Sequence, residues 1–165
     1  MTNLVYRSIG TPITFCESGG DAAITLLNLA AGAGRYSDRY DWGASDKSVY
    51  HLWQAKMQFE SAPVAGEQVE IWLFESDGTL ADAGIGTADA AMTAAMKYNA
   101  KLLGAVIAQT TGTATDFIAS GVCEIWQRYT SVGVWNASAA DNLRNSANVN
   151  KVILTPLAYN IQDGV

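Results

Sequence analysis

The stretch VYHLWQAKMQFE, Val49 to Glu60, alternates so regularly that it leaves little choice of backbone. Val49, His51, Trp53, Ala55, Met57 and Phe59 share one parity; Tyr50, Leu52, Gln54, Lys56, Gln58 and Glu60 share the other. Side chains alternate across a pleated strand, so this spacing predicts a strand with its first set facing inward. The same period returns in AAITLLN (Ala22 to Asn28), QVEIWLFES (Gln68 to Ser76), AKLLGAVIAQ (Ala100 to Gln109) and DFIASGVCEIWQ (Asp116 to Gln127). It also marks YTSVGVWN (Tyr129 to Asn136) and NKVILTPLA (Asn150 to Ala158). Short strands separated by turn signals indicate an all-β chain, an antiparallel, jelly-roll-like β-sandwich. One domain over residues 1–165 is expected, with 1–15 as an N-terminal arm and 159–165 as a frayed tail. A chain of this length buries roughly two thirds of its unfolded surface, enough for a core without staples.

Two connections stand out. SAPVAGE places Pro63 and Gly66 in a turn, which makes Gln68 to Ser76 the return strand of a hairpin. That strand is apolar on both faces, with Val69, Ile71 and Leu73 on one and Trp72 and Phe74 on the other. It is therefore either central or covered by a partner. From Asp77 to Lys97 the alternation stops in a long loop rich in Ala, Gly and Asp. Its second half, ADAAMTAAMK, reads as a short helix with Asp89 near its start and Lys97 near its end. An interruption this long in a β domain is usually a functional or assembly segment.

Several chemistries are excluded or left without support. GAG at Gly32 to Gly34 lacks both the third glycine of GxGxxG and the GK[ST] of a phosphate loop. The following RYSDRYDWG alternates like a strand, so there is no helix N-terminus to receive an anion. The only histidine, His51, lies on an inward strand face and reads as a core residue rather than a base. Asp38, Asp41, Asp46, Asp77, Asp82 and Asp89 lie in or beside loops and read as solvated carboxylates rather than a glycosidase pair or a calcium loop. Cys16 and Cys123 lack CxxC neighbours and read as buried, reduced thiols. No catalytic residue, metal or cofactor is assigned. Net charge is −6, and no run of three basic residues exists, which argues against nucleic acid and acidic membranes as partners. The N-terminus has no basic start followed by a long apolar run, and no stretch approaches ~18 apolar residues. The expectation is a protein made, and left, in a cytoplasm.

The aromatic set is the one positive signal. Tyr36, Asp38, Tyr40 and Trp42 share parity and are expected to line one face, and with Trp72 and Phe74 they make up the candidate interface or ligand face. Such rows serve as core, as protein interface, or as a platform that stacks sugar rings while Asp accepts their hydroxyls. All three remain open on the sequence. Charged residues are only 16%, against an average near 25%. A surface so poor in charge is expected to be covered in part by something else.

Three stretches carry a resemblance: SGGDAAITLLNLAAGAGRYSDRYDWGA, APVAGEQVEIWLFES and GVCEIWQRYTSVGVWNASAADNLRNSANVNKVILTPL. They are similar to a family of small β-sandwich proteins encoded among the virion structural genes of tailed bacteriophages. That family has a "LANGAGR"-like turn, a hairpin around "AP-AG-VE-Y" and a closing "ITLTPL"-like strand. The resemblance implies a virion component without enzymatic activity, such as a capsid decoration (cement) protein or a small spike-like element. It implies a homo-oligomer, with a trimer favoured, bound to the major capsid protein or other virion proteins. Assembly would take place in the host cytoplasm. A carbohydrate- or receptor-binding module using the Tyr36, Tyr40, Trp42 face is the alternative. Asp77 to Lys97 is the stretch least like the family, and no role carries over to it.

Overall fold

The protein is described by a computed structural model, which covers residues 4–43 and 48–162. Its strands are β1 (Leu4–Ile9), β2 (Ile13–Cys16), β3 (Ala22–Ala23), β4 (Gly34–Tyr36), β5 (Tyr40–Asp41) and β6 (Tyr50–Met57). They continue as β7 (Gln68–Ser76), β8 (Ala90–Met92), β9 (Lys101–Ile107), β10 (Phe117–Glu124), β11 (Tyr129–Asn136) and β12 (Lys151–Gln162). The first sheet runs β10-β6-β12-β2-β3, with β1 on the far half of β12. The second runs β8-β4-β11-β7-β9, with β5 also on β11. Among the described pairs only β2–β3 is parallel. The fold is an all-β sandwich.

The core forms where the two inner faces meet. Trp53, Ala55, Met57 and Phe59 from the first sheet pack with Val69, Ile71, Leu73, Val132 and Val134 from the second. The alternation of Val49 to Glu60 thus gives the strand it predicts, with His51, Trp53, Ala55, Met57 and Phe59 buried and Tyr50 and Leu52 exposed. Cys16 and Cys123 are free and buried, as expected, and burial raises the Cys123 thiol to about 11.

Four expectations are corrected. β6 and β7 do not form a hairpin: β6 lies between β10 and β12, and β7 between β11 and β9. Residues 58–67 instead cross between the sheets. Phe59 bridges to Leu143, and Gly66 and Ala108 are joined by backbone bonds around Glu67, so the Pro63/Gly66 bend turns the chain across the core. A hairpin would have used a loop of about two to five residues.

Ala22 to Asn28 is a strand only at Ala22–Ala23. Ile24 and Leu26 stay buried in extended backbone, but the segment is leaving one sheet for the other. A side chain takes over one of its amides: Thr25 N–H donates to Asp89 Oδ2 at 3.0 Å.

Ala88 to Lys97 is not an α-helix. Ala90–Met92 pairs with β4, and only Ala94–Asn99 turns as a 3₁₀ helix. Sheet pairing overrides the helix propensity of the alanines. Finally, the stretches read as arm and tail hold paired strands. Ile13–Cys16 joins the first sheet, and Leu4–Ile9 pairs with Leu157–Gln162 as a two-stranded ribbon.

Candidate functional site

The row from Tyr36 to Trp42 does not keep one parity, because a bulge divides it. β4 and β5 both pair with β11: Tyr36 stands opposite Gly133 and Tyr40 opposite Thr130. The residues between, Ser37, Asp38 and Arg39, therefore span only Ser131 and Val132 on the partner. One extra residue bends the strand and inverts every later side chain. Ser37 closes the ladder around it: its N–H donates to Val132 O at 2.9 Å, and its hydroxyl accepts from Val132 N–H at 2.9 Å.

Below the bulge, Tyr40 and Trp42 turn into the sandwich. Phe15 meets Tyr40 edge-on at 6.4 Å, Tyr40 meets Trp42 at 4.8 Å, and Trp42 meets His51 at 4.5 Å between ring centroids. Trp42 Nε1–H donates to Thr130 Oγ1 at 2.8 Å. His51 is buried, as its inward position predicts, with Nδ1 3.3 Å from Val49 O. Burial, assisted by Asp21 and Asp41, raises the Tyr40 phenol.

Above the bulge, Tyr36 turns to the outer face of the second sheet and meets Phe74 edge-on at 6.4 Å. Residues 77–100 lie over this face as a strap. Ile85 and Met92 complete a second buried cluster with Tyr36 and Phe74, and Trp72 and Trp135 pack against it. Gly133 makes room, since a Cβ there would sit 2.6 Å from Phe74 Cε2. Strand β7 is therefore both central and covered, and the cover is the chain itself. Burying aromatic rings of this kind is worth about 1.5–3 kcal/mol each.

Polar contacts tie the strap down. Asp89 accepts from Thr25 and is bridged to Arg35 at 2.7 Å, while its own N–H donates to Asp38 Oδ1 at 2.7 Å. Lys97 bridges to Glu70 at 2.9 Å and lies 4.4 Å above the Trp135 ring centroid. Gly86 N–H donates to the Tyr36 hydroxyl at 3.2 Å, and Glu75 N–H to Asp82 Oδ2 at 2.7 Å. Asp38, Asp82 and Asp89 thus hold backbone amides rather than standing solvated in loops; Asp46 lies outside the described residues. Exposed Asp41 accepts two bonds from Arg128 at 2.7 Å, and this pairing, with the Gly43 amide, lowers its carboxyl to about 2.

Of the six candidate residues, Tyr36 and Phe74 are buried and Trp72 is half-buried beneath the strap. Tyr40 and Trp42 fill one end of the inner core, and Asp38 pins the strap. Sequence reasoning missed two surface features. One is the outer face of β6 and β10, where Leu52 stands opposite Val122 with Ile118 further along the strand. The signal was present as apolar residues at the outward parity of two strands. The other is a groove of about 300 Å³ where the edge strands β9 and β10 meet, lined by Tyr50, Lys101, Leu102 and Glu124 among others. No group of three or more potential metal ligands occurs among the described residues. Comparison with protein-family models and with curated proteins finds no match to this chain.

Proposed function

We propose that this chain is a non-enzymatic structural protein of a tailed-phage virion. In this reading it is a homo-oligomeric capsid decoration protein, with a trimer expected, assembled onto the particle in the host cytoplasm. The resemblance of its turn and closing-strand motifs supports the family reading. The observation that carries the assembly role is the bare outer face of the first sheet. Leu52, Ile118 and Val122 are 40, 57 and 62% exposed on adjacent strands. In water that face costs free energy; against a neighbour it would return about 25 cal/mol per Å² buried. A stable contact needs roughly 800 Å² per partner. Repeated copies on a shell add avidity to modest single contacts. The bonded states of Asp38, Asp82 and Asp89 fit a structural rather than catalytic use of its carboxylates.

The test is the mass of the purified protein by sedimentation, with co-sedimentation on capsids that lack it. A closed oligomer that binds capsids supports the reading. A monomer that leaves capsids untouched overturns it.

A further inference from the structure

We infer that the groove between β9 and β10 is a binding site for a neutral, hydroxyl-rich sugar chain. The two strands are the free edges of opposite sheets, and they converge at the Glu124 end of β10. Lys101 reaches across from β9, its Nζ donating to Glu124 O at 3.1 Å. That bond occupies the edge carbonyl a docking strand would need, so peptide addition by β-pairing is blocked at this end.

Exposed aromatic rings gather here. Tyr50 stands opposite Glu124 on β6, and its ring is 43% exposed. Trp126 is 60% exposed, and its Nε1–H donates to Glu124 Oε2 at 3.2 Å, which orients the indole beside the groove. Glu75 Oε1 accepts from the Gln127 amide at 3.0 Å and also from the Trp126 amide, fixing the backbone that carries the ring. The floor includes Leu102.

The chemistry selects the ligand class. Rings of this kind stack on the apolar face of a pyranose. Lys101 stands against two carboxylates, Glu124 at the rim and Glu75 beside it, which leaves the site slightly negative and disfavours an anion. Hydroxyls both donate and accept, so they use both groups. The volume matches the small end of ligand pockets, and the open shape suits one or two sugar units of a longer chain. The site is distinct from the Tyr36, Tyr40, Trp42 row, of which Tyr36 is buried and Tyr40 and Trp42 are half-buried against the core. Val122 lines the groove and also stands opposite Leu52, so the groove adjoins the exposed face of β6 and β10, and self-association is scored alongside sugar binding.

The experiment presents the folded full chain to a printed panel of neutral and acidic oligosaccharides, followed by titration calorimetry with the best hexasaccharide. Saturable binding to a neutral class is expected. Trp126→Ala and Tyr50→Ala should each weaken it at least ~10-fold, the loss expected for an aromatic anchor. Tyr98→Ala, at an exposed ring on the strap, should leave it unchanged. Where Trp126→Ala does not fold, Tyr50→Ala and Glu124→Gln carry the test. No binding at ~1 mM ligand, a weak-affinity limit, overturns the proposal, as does binding indifferent to Trp126 and Tyr50. A preference for acidic sugars alone, or loss of self-association rather than of sugar binding in Trp126→Ala, overturns it too. Capsid binding is scored separately, so failure here leaves the virion reading standing.

Discussion

The two sheets treat their outer faces differently. On the second, Tyr36 and Phe74 are sealed beneath residues 77–100, with Trp72 and Trp135 half-buried at the margin. On the first, Leu52, Ile118 and Val122 remain exposed with nothing of this chain laid over them among the described residues. The covered face is apolar at its outward parity, whereas Leu52, Ile118 and Val122 share theirs with Gln54, Lys56 and Ser120. The difference is a strap pinned by Asp89, Lys97 and Asp82, which the first sheet lacks. The face with its own cover belongs to the fold; the one without is the face proposed above as an assembly contact.

The comparison breaks most visibly under truncation. Phe74→Ala should cost about 3–5 kcal/mol, read by urea or thermal unfolding, because the cavity opens in a closed cluster. Leu52→Ala on the bare face should shift monomer stability by no more than about 0.5 kcal/mol. Equal losses at the two positions would dissolve the distinction.

The strap's anchor comes next. Asp89→Ala removes the Arg35 bridge and the Thr25 bonds and should cost about 1–3 kcal/mol. Amide exchange should speed up at residues 85–92 while β6 and β10 stay protected. Protection unchanged in the strap would mean that apolar packing alone holds it.

A smaller effect, of opposite sign, is expected within the strap. Ala83 sits at φ 55°, a conformation that glycine adopts freely. Relieving that strain should let Ala83→Gly gain up to about 1 kcal/mol, checked by its unfolding midpoint. A loss would show that the methyl's packing outweighs the strain.

The smallest effect concerns Asp41, outside both faces. Its folded carboxyl is lowered to about 2 from an ordinary 3.8, so its contribution to stability is present above pH ~4 and fades as pH falls toward 2. Asp41→Asn should flatten the stability profile only in that window. A change near neutral pH in the slope of that profile would point to another group.

How much of this was legible follows from how local each cause is. The alternation of Val49 to Glu60 and Tyr129 to Asn136 is a property of the strand itself, and both strands stand where the pattern puts them. Of the two alternatives for Gln68 to Ser76, central holds, whereas the cover on its outer face is the chain itself and not a partner. The bulge at Ser37 was not legible: it depends on a hydroxyl meeting the Val132 amide, a contact between distant segments. That single residue sends Tyr36 away from Tyr40 and Trp42 and dissolves the expected row. The hairpin failed for a similar reason, because Pro63 and Gly66 specify a bend without saying which sheet receives the next strand. The exposed face was in plain view at Leu52, Ile118 and Val122, masked by Gln54, Lys56 and Ser120, which share its parity.

The central claim is that the bare face of the first sheet is a subunit contact, whereas the strapped face is not. Sedimentation velocity on the wild type and on Leu52→Glu/Ile118→Glu tests it most directly. The account predicts a closed oligomer for the wild type and a folded monomer for the double variant. A monomeric wild type, or a double variant that keeps the wild-type mass, would contradict it.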